Sequence, residues 1–326
     1  MKTFKRILKT IFILAIMGIV YSFFFSVYEN IKINNIIKDF KNRASDTPVN
    51  EITLRGVNNT NYLRRYFEVP RETSNELNDT NNVFYDDKKM KLGIDGDIFV
   101  NRKSPFKDIP VIHQFVSFYY GGHSSIVTYE NDKAHFIEAL GFPDYDETLL
   151  DYIFSDGEPG HGLSSHIIKS SFNSWQTPHS VHEYHGMFYR DKYIGLRPTN
   201  PFTEFDNSDE LYNEYKQTAI SRGEERAENK AIYNFLFFLN MQNKYYCSDL
   251  MSRVYEEAYE SVMNGKDDYR SKGYAKRLND DGFITSIQDL ILSKETFITF
   301  YVEINEEEID GETVIVENIY YLEDVE

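Results

Sequence analysis

The sequence contains a single cysteine, Cys247, among 326 residues. One thiol excludes an intramolecular disulfide and also a zinc module built from several cysteines. No cysteine follows directly after the amino-terminal apolar run, so lipoprotein processing is excluded as well. The fold must therefore be held by burial, and 41% apolar with 16% aromatic residues supplies enough side chains for a sizeable core.

Basic residues are scarce beyond the amino terminus. Residues 1–43 hold eight Lys or Arg and two Asp or Glu, whereas the rest of the chain holds 27 and 50, a net charge of −23. Such a charge repels phosphate backbones. Nucleic acid is therefore not expected as a partner, and the sequence leaves the oligomeric state open.

Charged residues are absent from residues 11–27, "IFILAIMGIVYSFFFSV". As a helix this run spans about 26 Å, close to the thickness of a bilayer core. The basic residues before it, "MKTFKRILK", favour an inside amino terminus and an extracytoplasmic remainder. Residues 1–45 are therefore expected to be a transmembrane anchor with a juxtamembrane segment. A cleaved signal peptide, which would leave a secreted protein, is the alternative.

The rest of the chain divides by its pattern of polar and apolar residues. Residues 46–91 are rich in Asn, Asp, Thr and Lys and are expected to be a linker or extension. Residues 92–326 mix helical and strand patterns without regular alternation, which predicts one α+β domain. Within it, residues 142–190 hold a concentration of histidine and are expected to be an insertion or a lid over the cleft.

Cys247 is predicted to lie at the start of a helix. Apolar residues recur at helical spacing from Leu250 to Met263, and Gly265 supplies a stop. The free amides and the positive end of the dipole at a helix start lower the pKa of a thiol. The alternative is a thiol that packs as a small apolar side chain.

A hairpin is predicted to supply a base for this thiol. If Asn131 and Asp132 form a two-residue loop between "HSSIVTYE" and "AHFIEAL", then His123 and Glu138 are diagonal neighbours on one face. A carboxylate in that position can fix the tautomer of the imidazole. A three-residue loop would put Glu138 on the other face, and a polar strand end with a solvated glutamate is the simpler interpretation.

Four short motifs in this order resemble the permuted papain-like amidases, the YiiX/YaeF-type relatives of NlpC-type cell-wall peptidases. The resemblance covers about residues 92–295 and includes "ITSIQDLILS" at its end. The matched positions are Gly96, Asp97 and Ile98; His123, Ile126 and Val127; Glu138 and Ala139; and Tyr246, Cys247, Ser248, Asp249 and Leu250. The sequence departs from the family pattern at Asp249, where glutamate is commoner, and in a longer 142–190 segment.

The resemblance implies a circularly permuted papain-like fold with an antiparallel sheet. It also implies a nucleophile at Cys247, a general base at His123 and an orienting residue at Glu138. The implied activity is that of a cysteine amidase or peptidase acting on a peptide or acyl-amide substrate, with no metal or organic cofactor. Two alternatives stay open: a lipid acyltransferase or deacylase of the lecithin:retinol acyltransferase type, and a catalytically silent surface-binding module.

Other residues are candidates for subsidiary roles. Asp97, Ser248, Tyr233 and Tyr246 are candidates for the substrate pocket, although core stacking accounts equally well for the tyrosines. Trp175 is expected in core or lid packing. The histidines of "HSVHEYH" (179–185) could bind zinc, but their spacing spreads them around a helix or across both faces of a strand, which favours a solvated loop.

Overall fold

The structure is a computed structural model that describes residues 2–55, 61–104, 110–141, 147–155, 163–171, 175, 191–237, 241–263, 278 and 284–325. Its helices are α1 (Lys2–Asn42), α2 (Ser74–Asn78), α3 (Pro110–Tyr119), α4 (Leu149–Phe154), α5 (Ser208–Glu228), α6 (Cys247–Met263) and α7 (Ile287–Leu292). Its strands are β1 (Asn50–Arg55), β2 (Asn61–Val69), β3 (Ile98–Asn101), β4 (His123–Glu130), β5 (Lys133–Ala139), β6 (Ile167–Ser170), β7 (Lys192–Pro198), β8 (Ile232–Tyr233), β9 (Lys244–Tyr245), β10 (Thr296–Ile309) and β11 (Glu312–Leu322).

The main sheet has nine strands in the order β1-β2-β11-β10-β7-β3-β4-β5-β6. Every pair is antiparallel except β2 with β11, which is parallel. Among the described residues β8 and β9 form a separate two-stranded parallel pair. The prediction of a mixed α+β chain with a largely antiparallel sheet is therefore confirmed.

The helices α5 and α6 pack against each other and against the β4–β6 side of the sheet. The apolar stripe predicted for α6 is buried, with Leu250, Met251, Val254 and Tyr255 each fully buried. On α5, Gly223 brings the helix close to Ile137 of β5, since a Cβ there would lie 3.0 Å from that side chain. The start of α6 is thereby fixed over the strands that carry His123 and Glu138.

The amino-terminal helix α1 has two parts that differ in their surroundings. Residues 4–25 are exposed, and the helix is long and apolar enough to span a membrane; only 6% of its most apolar stretch is buried. From Ser26 onward one side of the helix packs on the domain, and Ile33 and Phe40 are buried in the main core. The apolar segment therefore continues without a break into a helix that belongs to the domain.

The linker expected at residues 46–91 is not found, because the described residues of this segment pack as an extension of the domain. They supply β1 and β2, and β2 pairs with β11 along eight residues. Arg64 on β2 forms a buried ion pair with Glu317 on β11, and Val69 and Val83 are fully buried. The polar composition of this stretch concealed the strands because paired charges occupy some of the buried positions.

Candidate active site

The predicted hairpin is present with the predicted loop and register. Glu130 pairs with Lys133 and Ile126 with Ile137, and Asn131 and Asp132 both have the positive φ of a type I′ turn. Extending this register pairs residue 125 with residue 138, so His123 and Glu138 lie diagonally on one face. The His123 Nε2 and Glu138 Oε2 atoms are 2.6 Å apart, and both side chains are buried.

A tight turn at Gly121 and Gly122 connects α3 to β4, which begins at His123. Gly121 has φ +82°, and a Cβ there would lie 2.5 Å from Ile287 on α7. A Cβ on Gly122 would lie 2.0 Å from the Lys103 carbonyl oxygen. The two glycines let α7 and the end of β3 approach the turn, which fixes the position of His123 at the start of β4.

Cys247 is the first residue of α6, as predicted, and both of its neighbours bind Thr285. The Tyr246 hydroxyl accepts a hydrogen bond from the Thr285 amide at 2.9 Å. The Ser248 hydroxyl donates to the Thr285 carbonyl at 2.6 Å. Tyr246 and Ser248, predicted as pocket residues, thus clamp the start of α6 to the segment before α7.

The Cys247 thiol lies beside His123, at the amino end of β4. The thiol sulfur lies 4.0 Å from the Gly122 carbonyl oxygen, next to His123 in the chain. The thiol and the imidazole are close enough that each shifts the pKa of the other. Because Nε2 is bound to Glu138, Nδ1 is the ring nitrogen left to exchange a proton with the thiol. The structure therefore brings Cys247, His123 and Glu138 into one constellation.

The electrostatics of the three groups favour a charged pair. Burial by itself raises the pKa of the Cys247 thiol, but the neighbouring His123 imidazole more than offsets this effect and lowers that pKa. Burial by itself lowers the pKa of His123, but its contacts with Cys247 and Glu138 raise the pKa to about 8. The lowered pKa of the thiol and the raised pKa of the imidazole both favour a thiolate beside an imidazolium.

Two aromatic side chains border the pair. Trp175 is 2% exposed and its ring lies nearly parallel to the His123 ring, with centroids 5.9 Å apart. It also packs edge-on against Phe99, so Trp175 is a core residue that borders the His123 imidazole. Burial raises the pKa of Tyr233, and the charge of nearby Cys247 raises it further, so its phenol stays protonated and able to donate a hydrogen bond.

Asp97 does not belong to the site, contrary to the prediction of a pocket residue. Its carboxylate is fully buried and accepts two hydrogen bonds from Arg197, each at 2.8 Å. Its carbonyl pairs with the Val127 amide, four residues along β4 from His123, which is about 13 Å at the rise of a strand. The Gly96–Asp97 motif therefore has a structural role at the start of β3.

Most of the 142–190 segment lies outside the described residues, including His179, His182 and His185. The described parts include α4 and β6, and β6 extends the sheet beyond β5. His166 lies just before β6, and its Nδ1 is 2.8 Å from the Ser164 carbonyl oxygen. Among the described residues no cluster of His, Cys, Asp or Glu could hold a metal ion. The lid interpretation of the segment stays a prediction.

Sequence reasoning missed the role of Thr285, which lies 38 residues beyond Cys247; it belongs to the matched "ITSIQDLILS" stretch, but no role was assigned to it there. For Trp175 the sequence predicted core or lid packing but not the contact with the His123 ring. The doublet Gly121–Gly122 was the one sequence signal for the turn that positions His123.

The arrangement can carry out nucleophilic acyl chemistry. It offers a thiolate, a proton carrier fixed by a carboxylate, and a helix start whose first amides have no acceptor within the helix. No family model, curated protein or solved structure matches the chain. The geometry of Cys247, His123 and Glu138 is therefore the basis on which its function is inferred.

Proposed function

We propose that this protein is a membrane-anchored cysteine hydrolase that cleaves amide bonds with a Cys247–His123–Glu138 triad. One observation carries the proposal: the only thiol of the chain starts a helix and contacts a buried imidazole whose far nitrogen lies 2.6 Å from a buried carboxylate. A thiol that only filled space would not need a hydrogen-bonded imidazole held in this way.

The first chemical step is the attack of the Cys247 thiolate on a substrate carbonyl carbon. A carbon–sulfur bond forms, and the carbonyl electrons move to the oxygen, where the Cys247 amide at the helix start donates a hydrogen bond. As the tetrahedral intermediate collapses, the His123 imidazolium gives its proton to the leaving amine. The products are a free amine and a thioester on Cys247.

The second step releases the acyl group. Neutral His123 takes a proton from water, and the hydroxide formed attacks the thioester carbon. The carbon–sulfur bond then breaks, which releases a carboxylic acid and leaves the Cys247 thiolate beside the His123 imidazolium. Glu138 accepts a hydrogen bond from Nε2 throughout, so Nδ1 stays directed at the sulfur and the imidazolium is stabilised when it forms. An alcohol or amine in place of water would make the same site an acyltransferase.

The fold that we propose for this site is the circularly permuted papain-like one. It is supported by the placement of the nucleophile at the start of a helix that packs on an antiparallel sheet carrying the base. The base precedes the nucleophile in the chain, as in the permuted relatives. Envelope peptides are the substrates that this resemblance favours.

The membrane anchor is also part of the proposal. The apolar part of α1 is exposed along its length, which a core helix of this domain would not be. The basic residues before residue 11 favour an extracytoplasmic domain. Protease added to intact cells should then remove the domain, and complete protection would contradict this orientation.

The test of the hydrolase uses the full-length protein in detergent with p-nitrophenyl acetate as probe. We expect an acetyl adduct on Cys247 by mass spectrometry and steady release of p-nitrophenol. The Cys247→Ala and His123→Ala variants should each lose this turnover, and the double variant should lose little more, because the residues act as one unit.

The matched control is His135→Ala, which removes an imidazole from the same hairpin, where His135 lies 3.9 Å from Glu130. It should retain wild-type turnover. Equal turnover by wild type and Cys247→Ala would contradict the proposal, and so would labelling of Cys247 without any release of product, which is the behaviour of a silent binding module.

A further inference from the structure

The helix α3 has an apolar exposed side. Its ten residues include no Asp, Glu, Lys or Arg, and none of them is buried. Val111 is 78% exposed, Phe115 54% and Ile112 43%. These residues continue into Phe118 and Tyr119 at helical spacing, so they form one stripe along the helix. A contiguous apolar stripe that faces outward marks an interaction surface.

The carboxyl end of this stripe contacts the apolar part of α1. The rings of Phe118 and Phe23 lie 5.6 Å apart between their centroids. The side-chain amide of Asn30 donates to the Phe118 carbonyl at 2.9 Å. Residue 23 lies inside the apolar run and residue 30 just beyond it, so α3 joins α1 at the level where a spanning helix leaves the hydrocarbon.

The polar side of α3 faces a cavity of about 430 Å³ between α1, α3 and the sheet. Arg102, Lys103 and Lys192 line it, whereas the domain as a whole is acidic. Arg102 donates to the side chains of Asn30 and Asn34 on α1. These two residues lie about 5 and 10 Å beyond residue 27 along the helix, so the Arg102 guanidinium is expected at the level of phosphate headgroups.

An aromatic path leads from α3 to the thiol. Tyr120, 37% exposed, lies 6.3 Å from Phe115 and 6.3 Å from Phe237, which is 38% exposed. Phe237 in turn packs on the ring of Tyr246, 5.2 Å away, next to Cys247. These ring contacts connect α3 to Tyr246, the residue that precedes Cys247.

We propose that α3 lies in the bilayer interface on the domain's side, with Val111, Ile112 and Phe115 among lipid acyl chains. The substrate is then a membrane-resident amphiphile that enters along Tyr120 and Phe237 and presents a headgroup-level amide or ester bond to Cys247. The substrate class rests on the proposed hydrolase, whereas the contact of α3 with lipid does not. The continuity of the stripe with the membrane segment of α1 selects lipid over a protein partner.

The contact is tested with the full-length Cys247→Ser protein in phosphatidylcholine nanodiscs. A single cysteine is introduced as Val111→Cys or Phe115→Cys and labelled with the polarity-sensitive dye NBD. The matched control is Leu77→Cys on α2, where the side chain is 63% exposed. Glu76 of that helix binds Arg43, which directly follows α1. Arg43 lies about 24 Å beyond residue 27 along the helix axis, so Leu77 is expected well outside the bilayer.

We expect blue-shifted NBD emission at 111 and 115 and quenching by doxyl-labelled lipid, with water-like emission and no quenching at 77. Water-like emission without quenching at all three positions overturns the membrane contact. This measurement needs no catalysis, so its result is independent of the proposed hydrolase.

The substrate class is tested with two probes that share a leaving group, p-nitrophenyl acetate in solution and p-nitrophenyl palmitate in the nanodisc. In the Val111→Glu/Ile112→Glu variant the ratio of palmitate to acetate turnover should fall about tenfold, because carboxylates are costly in the bilayer. The Leu77→Glu variant should keep the wild-type ratio. An unchanged ratio in the α3 variant overturns membrane delivery. If the wild-type protein turns over neither ester, the proposed hydrolase activity is contradicted. The NBD measurement alone then tests the contact of α3 with lipid.

Discussion

At the scale of single residues, the reactivity of Cys247 depends on a partner that is itself held by a third group. The imidazole is fixed by Glu138 on one side and faces the sulfur on the other. The carboxylate therefore acts on the thiol through the imidazole, by stabilising the imidazolium that the thiolate needs. The influence of Glu138 can be measured at Cys247, since no other cysteine exists in the chain to interfere.

The change Glu138→Gln should make Cys247 less reactive near neutral pH. Without the carboxylate the pKa of His123 falls below its value of about 8, and the pKa of the thiol rises because its cationic partner is lost. The rate of alkylation by iodoacetamide, measured against pH, should thus show its rise at higher pH than in wild type. Turnover of p-nitrophenyl acetate should fall about 100-fold.

The control for this change is Glu130→Gln at the end of β4, the other strand of the same hairpin. Glu130 is exposed and binds Lys169, so its loss should leave the pH profile of alkylation unchanged. If Glu138→Gln also leaves that profile unchanged, then the carboxylate does not act on the imidazole and the triad is wrong.

This part of the site was predictable because its geometry is local. Once Asn131–Asp132 is taken as a two-residue loop, the alternation of side chains places His123 and Glu138 on one face. The helix start at Cys247 followed from the apolar stripe that begins at Leu250. The contact between the hairpin and the helix did not follow from either pattern; it was implied by the resemblance, since Gly122 and Cys247 are 125 residues apart.

At the scale of elements, the start of α6 is held in place by the segment that leads into α7. Thr285 binds the residues on both sides of Cys247 through its own amide and carbonyl. The capping box of Ser286 and Asp289 then starts α7 at the next residue. A short and rigid connection thus couples the nucleophile to α7, which also packs on the turn at Gly121.

The change Ser248→Ala should loosen this connection. It leaves the buried Thr285 carbonyl without the Ser248 donor, and the free energy of unfolding should fall by about 1–3 kcal/mol. Because α6 then shifts relative to His123, the rise in alkylation rate at Cys247 should move to higher pH. Chemical denaturation and iodoacetamide kinetics measure the two effects.

The control is Ser45→Ala, which removes an exposed serine hydroxyl that hydrogen-bonds to Thr47. Its effect on stability should stay within about 0.5 kcal/mol. Equal stability of both variants would mean that the hydrogen bond to Thr285 does not hold α6.

At the scale of the whole molecule, residues 46–91 complete the sheet rather than connect an anchor to it. Composition pointed to a linker because Asn, Asp and Lys are typical of loops. Pairing with β11, which lies more than 240 residues further along the chain, cannot be read from such a local pattern. The apolar segment of α1 thus continues directly into the part of the helix that packs on the domain, and the proposed membrane contact of α3 rests on this continuity.

The buried pair of Arg197 and Asp97 ties this extension to the centre of the sheet. Arg197 on β7 binds Asp97 before β3, and it also binds Asp79 at 2.6 Å and the carbonyls of Asn81 and Asn82. All three charged side chains are almost fully buried. Removing one partner of such a pair leaves a charge without compensation, whereas a solvent-exposed pair contributes little.

The change Asp97→Asn should therefore destabilise the protein by about 3–5 kcal/mol, which lowers Tm by roughly 2–4 °C for each kcal/mol. The comparison is Glu68→Gln in the same extension, which breaks a pair with Lys89 in which the glutamate is 41% exposed. That change should cost at most about 1 kcal/mol. Well below Tm, the Asp97→Asn variant should still alkylate Cys247 at the wild-type rate, because Asp97 lies about 13 Å from His123 along the sheet. A loss of turnover with Tm unchanged would instead return Asp97 to the substrate pocket, where the motif alone had placed it.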